Sequence, residues 1–187
     1  MLSRAEYLKR KYISSGLRSV GAYREIIGLA WLDALFHGSG LVVNEVGIGV
    51  GSDGYVAGSW DPRDPVAKFD FALVRDGVIV ALVDVTGTSF TRKESIQRYG
   101  RPYVAFLPDK LKAAILAEQR FKIPSYFMLI NEAEGEVLLI HYKTVLEHGK
   151  LDRFARGEKP YMLTPWNKNL FMKPYRFKKA INQIRVN

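Results

Sequence analysis

The sequence predicts a small α/β domain: a mixed sheet with a helix-strand-strand-strand-helix-strand core, flanked by helices. Three observations predict it. Ala22, Ile26, Leu29, Ala30, Asp33 and Leu35 roughly trace the 3.6-residue period of a helix between Leu17 and Phe36. Two β-branched runs, Ala67–Val74 and Val78–Thr86, flank Arg75-Asp76-Gly77, a tight hairpin turn because Asp-Gly tolerates positive φ. Short apolar runs then alternate with a helical pattern opened by Pro108-Asp109 and reaching Gln119.

Taken in order, residues 3–15 read as a short basic helix, and His37-Gly38-Ser39-Gly40 ends the longer one that follows. Leu41–Val50 reads as a strand, and residues 51–65 as a Gly/Pro/Asp-rich loop. After the hairpin, Gly87-Thr88-Ser89 breaks the second strand and Thr91–Tyr99 forms a short helix. Pro102–Leu107 is a buried strand, expected beside the strand of Asp84 after a helical crossover. Tyr126–Asn131 and Glu136–His141 are two further strands. Prolines at 160, 165 and 174 forbid one long helix in the last forty residues. The chain is expected to divide into a domain over 1–149, including the N-terminal basic helix, and a basic, aromatic extension over 150–187 packed on or beside it.

Composition narrows the function classes. With 187 residues, 48% of them hydrophobic, the chain is one ordinary globular domain. It has no apolar run long enough for a membrane span and no signal-peptide layout, so a cytoplasmic location is expected. The absence of cysteine excludes disulfides and thiolate metal sites, and His37, His141 and His148 are too scattered for zinc. The net charge of +9 is concentrated at the ends. Residues 1–20 hold five basic and one acidic residue, 21–149 thirteen and sixteen, and 150–187 ten and two. A near-neutral body with basic ends suits a polyanion, nucleic acid before an acidic membrane.

The hairpin carries the chemistry. Asp70 and Asp84, fourteen residues apart, each sit in an apolar run where a strand would carry a hydrophobe. A carboxylate there is costly unless something positive answers it. Antiparallel neighbours can bring the two acids together, and Mg²⁺ or Mn²⁺ takes such oxygen pairs while keeping water or phosphate in its other positions. Gly47-Ile48-Gly49-Val50-Gly51 lacks the Lys-Ser/Thr and helix start of a phosphate loop and reads as a close-packed strand end. In the extension, Lys168, Lys173, Arg176, Lys178 and Lys179 are candidates for phosphate contact. Tyr161, Trp166, Phe171, Tyr175 and Phe177 among them either stack on bases or fill a core or dimer contact.

Over roughly residues 19–108 this layout resembles the PD-(D/E)xK nuclease superfamily, which includes archaeal Holliday-junction resolvases and many restriction enzymes. Asp70 matches the first acid, and Asp84 the acid of the D/E-x-K triplet, which here reads Asp84-Val85-Thr86. The resemblance implies a metal-dependent endonuclease, a hydrolase that cuts duplex or branched DNA as a homodimer. It implies Asp70, Asp84 and the Val85 carbonyl as metal ligands, with Thr86 orienting water. Glu25 on the first helix or Glu45 on the first strand would complete the site. The triplet lysine is missing, and threonine supplies no charge. Lys68, expected on the same strand face as Asp70, or Lys93 at the start of the next helix would replace it. The alternatives are a non-catalytic nucleic-acid-binding protein on a nuclease fold, and a structural or assembly protein with a basic tail.

Overall fold

The structure, a computed structural model, describes residues 20–46, 65–88, 90–152 and 160–184. The basic helix expected over 3–15, the loop over 51–64 and the Gly47–Gly51 stretch lie outside the described residues. Helix α1 (Val20–Phe36) buries Leu29, Leu32 and Phe36 on one face. It stops at a turn with Gly38 and Gly40 in the left-handed region, where glycine carries no Cβ penalty. Strand β1 (Leu41–Glu45) alternates as expected, with Leu41 and Val43 buried and Val42 exposed. A 3-10 turn (Pro65–Lys68) precedes β2 (Phe71–Arg75). Asp76 and Gly77, at φ 50° and 77°, make the tight hairpin into β3 (Val78–Thr88).

Helix α2 (Arg92–Tyr99) begins with a capping box between Thr91 and Glu94 and ends at Gly100. Strand β4 (Tyr103–Phe106) and helix α3 (Pro108–Phe121) follow, with Pro108 in the first helical position. Next come β5 (Ser125–Asn131), β6 (Glu136–His141) and helix α4 (Tyr142–His148), whose N-terminus His141 caps. Strands β7 (Lys150–Asp152) and β8 (Tyr161–Pro165) and helix α5 (Pro174–Asn182) complete the described chain. The main sheet runs β1-β2-β3-β5-β6, antiparallel except for the parallel β3–β5 pair. Strands β4, β8 and β7 form a second, antiparallel sheet.

One expectation is corrected here. The strand near residue 104 does not lie beside that of Asp84: β5 takes that place, with Asp84 opposite Phe127. Every residue of β5 is buried, as befits a strand covered on both faces. Strand β4 has only four residues and pairs with β8, which no periodicity announces.

Two cores cover the two faces of the main sheet. On one side α1 and α5 meet β3 and β5 through Leu32, Phe36, Val83, Met128, Phe177 and Ile181. On the other, α3, α4 and the second sheet pack Leu111, Ala114, Phe106, Val145 and Trp166 against Leu82 and Phe127. Residues beyond 150 therefore contribute to both cores. Trp166, Phe171 and Phe177 are buried, whereas Tyr175 is 60% exposed. Gly28 lets α1 lie close on the sheet, since a Cβ there would stand 2.7 Å from Val85 Cγ2.

The ring of Phe177 meets Tyr126 at 4.9 Å and Phe36 at 5.8 Å, both edge to face. Phe177→Ala is expected to cost about 3–5 kcal/mol, the usual range for a fully buried Phe. Tyr175→Ala, on the exposed side of the same helix, should change stability by less than about 0.5 kcal/mol. Urea unfolding of the two variants checks this, and equal losses would contradict the placement of α5.

Candidate active site

Asp84 lies within β3 on the face that carries Leu82, and is 3% exposed. Asp70 is not inside a strand. It sits at the bend between the 3-10 turn and β2, and its backbone carbonyl accepts from Val46 N at 3.0 Å. Its Oδ2 accepts from Val85 N at 2.6 Å. Because β2 runs antiparallel to β3, this bend falls beside the outgoing half of β3 and brings the two carboxyl groups together. Lys110, on the first turn of α3, reaches across and donates through Nζ to Asp84 Oδ1 and to the carbonyl of Lys68.

The electrostatics follow from burial. Desolvation, then the neighbouring Asp70 charge, push Asp84 up from 3.8 to about 8 despite Lys110. Burial likewise raises Asp70, against Lys110 and the Val85 N–H, which lower it. Burial also pushes the Lys110 ammonium down, but the facing Asp84 and Asp70 outweigh it and leave its pKa raised. Near neutral pH Asp84 thus holds a proton that an exposed carboxyl group would have lost, while Lys110 stays charged. Glu25 on α1 adds to the field on Lys110.

The other expected residues fall as follows. Thr86 is two residues beyond Asp84 on the same face of β3, half-buried. Val85 points its N–H to Asp70, and in an extended strand the carbonyl of a residue faces the same side. Glu45 ends β1 opposite Phe71, on the face of Leu41 and Val43. Lys93 is exposed on α2. Lys68 is not on a strand and does not share a strand face with Asp70: it lies in the 3-10 turn, its side chain is exposed, and its carbonyl meets Lys110. Lys173, Arg176 and Lys179 are exposed on or next to α5, Lys178 is half-buried there, and exposed Lys168 stands 3.8 Å from Glu136.

Lys110 escaped the sequence reading. A lysine in the first turn of a helix opposes the helix dipole, and Lys110 directly follows Pro108-Asp109. That misplaced cation was the available signal. Among the described residues no three His, Asp or Glu gather into an all-protein metal cage. The donor set still fits a hydrated hard cation: two neighbouring carboxyl groups, both raised by burial, with Lys110 as the cation that faces them.

Two carboxyl groups and one lysine thus meet at the bend before β2, beside the central strand of a mixed sheet. The model of the viral/archaeal nuclease family matches residues 5–186, and the chain belongs to that family. The structure of a nuclease from a fusellovirus is similar with a TM-score of 0.57 and 18% identity, over 90% of this chain and 95% of that one. The Hjc Holliday junction resolvase of Archaeoglobus fulgidus has a TM-score of 0.46 and 11% identity, over 81% and 95% of the two chains. No curated protein sequence matches. No helix among the described residues is long and apolar enough to cross a membrane.

The raised Asp84 has a consequence for stability. The native state holds a proton that the unfolded chain releases above pH 3.8. The stability this contributes is complete below pH 3.8 and is lost as pH rises to about 8. Metal-free protein in chelator should melt progressively lower across that window, and Asp84→Asn should flatten the trend. An identical pH trend in the Asn variant would refute the assignment.

Proposed function

We propose that this nuclease is a metal-dependent endonuclease that hydrolyses internal phosphodiester bonds of DNA, duplex or branched, as a homodimer. The observation that carries the reading is half-buried Asp70 beside buried Asp84, with the Lys110 ammonium on Asp84. Asp70 and Asp84 would hold Mg²⁺ or Mn²⁺, with the Val85 carbonyl on the same side. The cation, when bound, polarises the scissile phosphate and acidifies a water.

The remaining work falls to this chain's own groups. The Val85 N–H fixes one oxygen of Asp70 and so orients its carboxylate. Lys110 is anchored from two sides, by Asp84 and by the Lys68 carbonyl. It supplies the fixed positive charge that Thr86 cannot, and can offset charge that develops on the phosphate. Thr86, beside Asp84, offers a hydroxyl to position water. Exposed Lys173, Arg176 and Lys179 suit the DNA backbone farther from the cut. A duplex needs two cuts, which a two-fold pair of sites supplies.

The test is cleavage of duplex, single-stranded and branched DNA with Mg²⁺ or Mn²⁺. Asp84→Asn should abolish cleavage. Lys110→Ala should lower the rate by about 10²–10³-fold, as for loss of one fixed electrostatic stabiliser, with DNA affinity largely kept. Lys68→Ala and Lys93→Ala should cleave near the parent rate. A fully active Lys110→Ala protein would overturn the role given to this lysine.

A further inference from the structure

The β5–β6 turn presents three glutamates, and each holds a basic residue from another part of the chain. Glu132 takes Arg24 of α1 in a two-pronged contact, Nε at 2.9 Å and Nη2 at 3.2 Å. Glu134 and Glu136 take Arg92 of α2 at 3.3 and 3.4 Å. Arg92 also lies over the ring of Trp166, 5.0 Å from its centre. Because β3 and β5 are parallel, this turn sits at the same edge of the sheet as the outgoing end of β3. Both arginines therefore lie at the end of the sheet toward which β3 runs past Asp84, Arg24 on the α1 face and so on the opposite face from Asp84.

Arg24 is placed by a specific device. Its side chain lies flat across Gly87, where a Cβ would stand 2.1 Å from Nε. Gly87 is three residues beyond Asp84, about 10 Å along the strand and on its other face. A backbone that crosses the end of the sheet from the Asp84 side would meet Arg24 at a phosphate near the scissile one. The next residue of α1, Glu25, already acts on Lys110. The glutamates meet the guanidinium fork as a phosphate would, with paired anionic oxygens.

We propose that Arg24, with Arg92 beside it, grips the backbone phosphates near the cut, and that the β5–β6 glutamates are stand-ins that DNA displaces. The inference rests on the nuclease reading of the site and names how that site holds its substrate. In the free protein the glutamates keep both arginines extended and oriented. On binding, a phosphate takes the place of the Glu132 carboxylate on Arg24. The carboxylate is thus a competitor of the substrate, and its removal should strengthen binding.

The experiment measures binding of a labelled DNA duplex to the full-length protein by fluorescence anisotropy across a salt series. Asp84→Asn serves as background, so that nothing is cut. Adding Glu132→Gln should tighten binding severalfold. Adding Arg24→Gln should weaken it about tenfold, the worth of one charged contact, and reduce the log–log salt slope by about 0.9. Arg24→Lys should keep that slope. Melting temperatures of all variants report the ion pair itself. If Arg24 and Glu132 only tie α1 to the hairpin, both Gln variants lose the same contact and shift binding in the same direction, which would overturn the proposal. Absence of DNA binding in the Asp84→Asn background protein would instead overturn the nuclease reading beneath it.

Discussion

The structure depends on a buried conflict of charge. Two carboxyl groups, Asp70 and Asp84, meet at one end of the central hairpin with a single ammonium, Lys110, against them. One cation does not offset two neighbouring acids, so burial and the adjacent charge push Asp84 up to about 8. Around it, the 3-10 turn, the bend at Asp70 and the first turn of α3 are brought together by the same contacts. Buried like charges cost stability, and their persistence in an otherwise well-packed domain points to function.

The scaffold explains how such a site is held. Its strands are central and its walls come from distant parts of the chain. The acid on β3 is flanked by β2 and β5, which are covered on both faces, so its backbone cannot move independently. Lys110 is carried by a helix whose Leu111 and Ala114 are anchored in the core beneath it. The last forty residues close both cores through Trp166 and Phe177, while the other side of α5 exposes Arg176 and Lys179. Packing and charge are divided between the two sides of one helix.

The hairpin acids were legible in the sequence, because a carboxylate in a β-branched run and an Asp-Gly turn are local signals. The helix ending at Phe36, the short helix from Thr91 and the strands over 126–131 and 136–141 were legible for the same reason. The partner of β3 was not. Strand pairing is a choice among apolar runs, and β4 and β5 differ chiefly in length and in how completely each is buried. Lys68 seemed well placed only while residues 68–73 were read as one strand; the 3-10 turn at Pro65–Lys68 removes that geometry. Lys110 lies 26 residues from Asp84 in sequence, and only the folding of α3 over the 3-10 turn brings them together.

The central claim is that the acid pair exchanges the proton on Asp84 for a divalent cation. Calorimetric titration of the protein with Mn²⁺ in buffers of different ionisation enthalpy tests it most directly, because it counts protons released on binding. At pH 7 the account predicts release of close to one proton per site, declining toward none well above pH 8, and none in Asp84→Asn. Metal binding at pH 7 with a heat independent of buffer would contradict it.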